Sequence, residues 1–244
     1  MKKTQDKISI FDVMFIRQYS EITQMLLKAE RTSYTFTPNS EILYMAYKDE
    51  NFKNILNSAD FLLPDGSGIY LASKIIGTPF VSRTAGIDFG WDILRQSAKS
   101  KLKVYLLGGK EGVADLAAKK LTSEIEGLVI CGTHHGYFNK CKNSEENRKI
   151  VKEIKKSEAD VVFVCFGAPD QEKWIYENAA SLSEVRLFAG LGGSLDVWSG
   201  NLKRAPKYIQ KAGLEWLWRA ISEPKRFKRI PRLFKFLYCV CKEN

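Results

Sequence analysis

The sequence lacks long apolar runs and paired cysteines. Its longest apolar segments, such as residues 161–166, are far shorter than the ~20 residues of a membrane-spanning helix. Its 5 cysteines are an odd number without framework spacing in a chain of 244 residues, which is typical of reduced thiols in the cytosol. The lysines at the start resemble a signal sequence, but Asp6, Asp12 and Arg17 interrupt the apolar stretch that such a signal needs. We therefore expect a cytoplasmic protein that is soluble or peripheral to a membrane.

Several motifs of nucleotide and hydrolytic chemistry are also missing. There is no GxxxxGK[ST] loop, no GxSxG elbow and only 2 histidines, which disfavours P-loop phosphoryl transfer and a Ser-His-Asp triad. The nearest match to a GxGxxG fingerprint starts at Gly190 but has Leu195 at the third glycine position, which disfavours an NAD enzyme. No DxD pair is present to hold a divalent cation against a diphosphate. A sugar-nucleotide enzyme with this sequence must neutralise its leaving group with Arg, Lys and helix dipoles.

One group of potential metal ligands lies close together in the sequence, namely Cys131, His134, His135 and Cys141. It contains no CxxC or HxxxH pair, and adjacent histidines point in different directions in most backbone conformations. A metal site is therefore disfavoured, and we expect neither a metal nor a cofactor.

Short apolar segments alternate with stretches of helical period between residues 30 and 190. The predicted strands are 33–36, 61–63, 104–107, 128–131, 161–166 and 186–189. The predicted helices are 40–57, 68–76, 87–100, 112–125, 144–156 and 171–181. This order predicts an α/β fold with a Rossmann-like, mainly parallel sheet, helices on both faces and a basic helical appendage at the C-terminus.

The loops that follow the predicted strands combine glycine or proline with polar side chains. In parallel sheets these loops meet at one rim, where ligands bind. Glycine lets backbone N–H groups approach a ligand, and a helix N-terminus favours an anion such as a diphosphate. Tight turns alone would explain any single loop, but six such loops on one rim favour a ligand that carries phosphate.

The positive charge is concentrated at the C-terminus. Lys and Arg total 38 against 28 Asp and Glu, and residues 201–244 hold 12 basic and 3 acidic side chains, so they carry +9 of the net +10. We therefore divide the chain into a near-neutral core, 1–200, and a basic appendage, 201–244. Such asymmetry indicates a polyanionic partner, which is either nucleic acid or an anionic membrane.

The appendage also has apolar residues at helical spacing, Phe227, Ile230, Phe234 and Leu237, with basic residues between them. This pattern predicts an amphipathic helix in a bilayer interface, with Trp216, Trp218 and Tyr238 as anchors. Pro231 should kink or divide the helix. A docked terminal helix with a solvated basic face is the alternative. Nucleic-acid binding is disfavoured because the core is neutral and shows no recognition motif.

An ordered set of motifs across residues 10–235 resembles the WecG/TagA/CpsF family of bacterial glycosyltransferases. The matching segments are Thr37-Pro38-Asn39, Pro64-Asp65-Gly66-Ser67-Gly68, Arg83 with Gly86 and Asp88, Leu107-Gly108-Gly109-Lys110, Gly132 to Phe138, Gly167 to Glu172, Gly192-Gly193, Arg204-Ala205-Pro206 and Leu214 to Arg219.

The resemblance implies an inverting, metal-independent glycosyltransferase, peripheral on the inner face of the cell membrane. One branch of the family moves N-acetylmannosamine from its UDP donor to N-acetylglucosamine on undecaprenyl diphosphate, as in the linkage unit of wall teichoic acid. Other branches use N-acetylmannosaminuronic acid for enterobacterial common antigen, or hexoses for capsule and exopolysaccharide. A membrane adaptor without chemistry is a further alternative, and the sequence leaves a homo-oligomer open.

Inverting transfer needs a single base, unlike the paired carboxylates of most glycosidases. Asp65 is the candidate, with an N-cap for the next helix as the alternative. Thr37 and Asn39 are expected to contact the sugar, Arg83 the diphosphate, and Gln171 the ligand, whereas Glu172 is expected to be structural. Backbone groups are expected to meet the nucleotide at Gly108, Gly109, Gly192 and Gly193. The resemblance adds appendage arginines as candidates for the diphosphate, namely Arg219, Arg226 and Arg229.

Overall fold

The computed structural model describes residues 7–16, 23, 27, 31–81, 85–222, 227 and 230–243. A hairpin of β1 (Lys7–Ile10) and β2 (Val13–Ile16) precedes a six-stranded sheet. The sheet strands are β3 (Ser33–Phe36), β4 (Phe61–Leu62), β5 (Lys103–Gly108), β6 (Val129–His134), β7 (Val161–Cys165) and β8 (Leu187–Gly190). Their order is β4-β3-β8-β7-β5-β6, and every neighbouring pair is parallel. The predicted α/β fold with a Rossmann-like parallel sheet is confirmed.

The helices of the core alternate with these strands. They are α1 (Ser40–Lys48), α2 (Glu50–Asn57), α3 (Ser67–Ile75), α4 (Gly86–Lys99), α5 (Val113–Glu124), α6 (Glu145–Ser157), α7 (Asp170–Asn178) and α8 (Ser194–Trp198). The single helix predicted over residues 40–57 is wrong, because it is interrupted at Asp49. Asp49 is extended, and its carboxylate accepts the Phe52 N–H as the N-cap of a second helix.

The central strands β7 and β8 of the sheet are buried on both faces. All five residues of β7 are buried, and alternate residues face two different apolar clusters: Val162 and Val164 join one, whereas Val161 and Phe163 join the other. Strands buried on both faces read as continuous apolar runs, which is why β7 was visible in the sequence. Because all six strands point the same way, the loops that follow them collect at one rim.

The last helices are α9 (Lys207–Ala212), α10 (Glu215–Ser222) and α11 (Ile230–Glu243). Helix α11 packs against α1 and α3, with Phe236 and Val240 buried in the core. Pro231 lies in its first turn, where proline is tolerated because that N–H has no helical partner. The opposite side of α11 exposes Phe234 and Tyr238. Thus α11 is docked on one face, as in the alternative interpretation, and still presents apolar side chains on the other.

The docking of α11 makes a testable prediction. Phe236→Ala should lower the free energy of unfolding by about 3–5 kcal/mol, because it removes a fully buried aromatic ring and leaves a cavity. Phe234→Ala on the exposed side of the same helix should change it by less than about 0.5 kcal/mol. Urea denaturation of both variants measures the difference, and equal effects would contradict the packing described here.

Candidate active site

A cleft of about 900 Å³ lies at the rim where the loops after the strands meet, and α10 and the start of α11 line one side of it. Of the residues predicted for the site, it brings together Thr37, Asn39, Asp65, Gly109, Gln171, Gly192, Gly193 and Arg219. Gly108 is not among the lining residues. Arg83, Arg226 and Arg229 lie outside the described residues.

Asp65 is held at the cleft by backbone hydrogen bonds on both sides. Its N–H donates to the Pro38 carbonyl at 3.0 Å, and its Oδ1 accepts the Gly86 N–H, the first of α4, at 3.2 Å. The N-cap of α3 is Gly66, which has no side chain to cap the helix. The alternative in which Asp65 caps the next helix is therefore wrong. The carboxylate instead faces the N-terminus of α4, which favours its charged form.

The pKa of Asp65 is raised from its ordinary value of 3.8 to about 6. Loss of solvent around the carboxyl is the largest cause. Arg219, the Gly86 N–H and Arg204 act in the opposite direction, and the negative charge of Glu215 raises the pKa further. A carboxylate with this pKa is ionised at neutral pH and is a stronger base than an ordinary aspartate.

Thr37 and Asn39 stand on the loop after β3, beside Asp65. The Thr37 hydroxyl donates to the Gly190 carbonyl at 3.2 Å, which ties the ends of β3 and β8 together. The Asn39 Oδ1 accepts the N–H groups of Glu41 and Ile42 and so caps α1. With that oxygen engaged, the side-chain group that Asn39 can offer to a ligand is its NH2.

Gln171 is buried, and its amide has a fixed orientation. Its Oε1 accepts the Gly192 N–H at 2.9 Å, and its Nε2 donates to Glu172 Oε1 at 2.8 Å. Glu172 is fully buried, its Oε2 has no hydrogen-bond partner among the residues that the structure describes, and burial raises its pKa to about 7. Glu172 is thus a buried carboxyl that orients Gln171, a residue of the cleft lining; the sequence predicted a structural role for Glu172 but not this contact.

Comparisons with known proteins show which family the chain belongs to. The model of the Glycosyl transferase WecG/TagA/CpsF family matches residues 8–244. The chain belongs to the WecG/TagA/CpsF family. A Bacillus subtilis (strain 168) protein is 37% identical over 208 residues, which cover 85% of this chain and 78% of that protein. A Staphylococcus aureus (strain MW2) protein is 31% identical over 234 residues, 95% of this chain and 89% of that protein. Both are named N-acetylglucosaminyldiphosphoundecaprenol N-acetyl-beta-D-mannosaminyltransferase.

The four glycines that were predicted to contact the nucleotide have different structural roles. Gly108 has φ +147°, and a Cβ there would overlap the Cys165 carbonyl, so it permits close strand packing. The N–H of Gly109 donates to the Cys165 carbonyl and that of Gly192 to Gln171. Both N–H groups are therefore engaged within the protein rather than directed at a nucleotide. Gly193 lines the cleft as the N-cap of α8.

Among the residues that the structure describes, three cationic side chains line the cleft. Arg219 of α10 lies on the appendage side, and its charge acts on Asp65. Lys110 and Lys140 follow β5 and β6, and Lys140 Nζ sits 4.8 Å from the centre of the Phe166 ring. The lysines were not predicted, although Lys110 belongs to the Gly108-Gly109-Lys110 loop. Cations distributed in this way can neutralise a diphosphate from several sides.

Two further observations concern metals and membranes. Within the described ranges, no three His, Cys, Asp or Glu side chains converge as ligands of a metal ion would. The same residues include no helix with the length and apolar composition to cross a bilayer.

Proposed function

We propose that the protein transfers N-acetylmannosamine from UDP-N-acetylmannosamine to N-acetylglucosamine carried on undecaprenyl diphosphate. The observation that carries this proposal is the Asp65 carboxylate, which accepts the Gly86 N–H at the wall of a cleft that Arg219 also lines, and whose pKa is raised to about 6. The names of the relatives supply the sugar and the acceptor. A Bacillus spizizenii relative with the same name is 33% identical over 232 residues, 92% of this chain and 88% of that protein.

The reaction is one displacement at the anomeric carbon. Asp65 removes the proton from the 4-hydroxyl of the acceptor N-acetylglucosamine, and the oxygen attacks the anomeric carbon of the donor. The bond from that carbon to the diphosphate breaks, and UDP leaves with the electron pair. Arg219, the cleft lysines and, in our proposal, Arg83, Arg226 and Arg229 stabilise the charge on UDP without a metal. Thr37, Asn39 and Gln171 position the sugars through hydrogen bonds.

The acceptor's lipid fixes the reaction to a membrane, so we place the protein on the inner face of the cell membrane as a peripheral protein. Residues 201–244 form the attachment in this proposal. Support comes from the exposed side of α11, where Phe234 is 64% and Tyr238 70% exposed, with Lys235 and Lys242 nearby. Apolar side chains can enter the headgroup region while the lysines meet anionic lipid. In this proposal the polyanion that the basic appendage meets is an anionic membrane surface and not nucleic acid.

The decisive experiment measures UDP release. The protein is incubated with a short-chain lipid diphosphate of N-acetylglucosamine, EDTA and a panel of UDP sugars. We expect UDP-N-acetylmannosamine to give the fastest release. Faster release from UDP-N-acetylmannosaminuronic acid or a UDP-hexose would place the protein in another branch of the family. A strict metal requirement would contradict the mechanism, and failure to bind UDP in a titration would favour the adaptor without chemistry.

Membrane attachment gives a separate prediction. The double variant Phe234→Ser, Tyr238→Ser should reduce cosedimentation with anionic vesicles by about tenfold or more, because two aromatic side chains no longer enter the interface. Leu116→Ser on α5, which removes another exposed apolar side chain, is the matched control. Binding of the control should match the wild type, and binding of all variants should weaken with salt. Unchanged cosedimentation of the double variant would refute the proposed attachment.

A further inference from the structure

A three-residue ion-pair chain connects the core to the appendage. Both terminal nitrogens of Arg204 donate to the Asp88 carboxylate, at 2.5 Å and 2.7 Å, and its Nε donates to Glu215 Oε1 at 3.2 Å. The Arg204 side chain is 22% exposed. All five guanidinium donors are arranged as a planar fork, which is why one arginine can hold two carboxylates at once.

The two carboxylates belong to helices that meet at the cleft. Asp88 lies in the first turn of α4, the helix whose Gly86 N–H bonds Asp65. Glu215 is the first residue of α10 and lies one turn before Arg219 on the same face of that helix. Arg204 therefore bridges the helix that holds the base and the helix that carries the cation. The segment around it is fixed as well, since Gln210 Nε2 donates to the Ala205 carbonyl at 2.6 Å.

The ion pairs of Arg204 also offset the negative charge of Glu215 in the part of the molecule where a diphosphate is expected to bind. Glu215 lines the cleft, and its carboxylate would repel an anionic donor if it had no cationic partner. Pairing with Arg204 offsets that charge, and the same ion pair attaches α10 to Arg204 through the Glu215 carboxylate. Asp88 in turn holds the other side of the guanidinium, so that α10 is fixed relative to α4.

We propose that Arg204 is a positioning residue that fixes α10 against α4 through Asp88 and Glu215, and thereby holds Arg219 in the cleft that Asp65 also lines. Its contribution to sugar transfer rests on the proposed function. The fixing of α10 does not, since it depends only on the ion pairs described here.

Hydrogen exchange tests the positioning directly, whether or not the protein transfers a sugar. In Arg204→Gln, the amides of α10 should exchange about tenfold faster than in the wild type, while those of α5 and β7 stay unchanged. Asp88→Asn removes the other anchor without touching the connecting segment and should give the same pattern. Arg186→Gln is the matched control, because it breaks an ion pair with Asp160 at the opposite end of the sheet. Unchanged exchange in α10 of both test variants would overturn the proposal.

A double-mutant cycle then tests whether Arg204 affects turnover through Arg219. We expect kcat/KM for the UDP sugar to fall about tenfold in Arg204→Gln and about 100-fold in Arg219→Gln. If Arg204 acts through Arg219, the double variant should be about as slow as Arg219→Gln alone. Additive losses, about 1000-fold together, would overturn the proposed route. If the wild type turns over no UDP sugar, the proposed function fails, and the exchange experiment still decides whether Arg204 fixes α10.

Discussion

Asp65→Asn should lower kcat by about 10³-fold, within the range that a general base contributes, while the fold is retained. The asparagine amide keeps the shape of the side chain but cannot accept the acceptor's proton. Binding of UDP should persist, because in the proposed mechanism the cations elsewhere in the cleft, and not Asp65, bind the diphosphate. UDP release and a UDP titration measure the two effects separately.

The same variant should be more stable than the wild type at alkaline pH. The folded protein holds the Asp65 proton more tightly than the unfolded chain, since the pKa is raised from 3.8 to about 6. Ionisation of Asp65 therefore costs stability progressively as pH rises from about 4 through 6. Removing the charge should restore about 1–3 kcal/mol at pH 8. Asp92→Asn, a side chain 45% exposed on α4, is the control and should leave turnover unchanged.

Two results would contradict this role for Asp65. One is near wild-type UDP release by Asp65→Asn. The other is a kcat/KM for the donor that stays constant below pH 6, because protonation of the free enzyme's base should reduce it about tenfold per pH unit there.

Arg219→Gln should lower kcat/KM for the donor by about 100-fold, because the substitution removes a cation that we propose stabilises the leaving diphosphate. It should also move the acidic limb of the pH profile to higher pH. Arg219 lowers the pKa of Asp65, so that pKa should rise when the positive charge is lost. Stopped assays across pH 5–8 measure both effects together.

Arg219→Lys provides the control for this prediction. The lysine retains the charge and should keep the limb near its wild-type position, but it cannot form a bidentate contact with phosphate. A large loss of activity in Arg219→Gln without any shift of the acidic limb of the pH profile would mean that Arg219 does not influence the pKa of Asp65. That result would contradict the geometry of the cleft.

The sequence predicted features that have strong local signals. The buried strands appeared as apolar runs, and parallel connections placed Thr37, Asn39, Asp65 and Gln171 on loops at one rim, where the structure brings them together. Features set by tertiary contacts were missed. The β1–β2 hairpin is short, and the break at Asp49 depends on a cap that competes with helix continuation.

The partners of the site residues also could not be predicted. The N–H of Gly192 is engaged by Gln171, which lies 21 residues away in sequence. Glu172 follows a turn at the start of a helix, where an exposed cap is the usual expectation, but the fold buries it. Helix α11 has two apolar faces, and its periodicity alone could not tell which one meets the core.

The most direct test of the central claim is the anomeric configuration of the product formed from UDP-N-acetylmannosamine in the presence of EDTA. NMR of the purified disaccharide lipid determines this configuration. A single displacement assisted by Asp65 predicts inversion, so that the α-linked donor gives a β-linked product with wild-type protein, and the same product about 10³-fold more slowly with Asp65→Asn. An α-linked product would mean retention at the anomeric carbon, which a single in-line displacement cannot give, and would contradict the proposed mechanism.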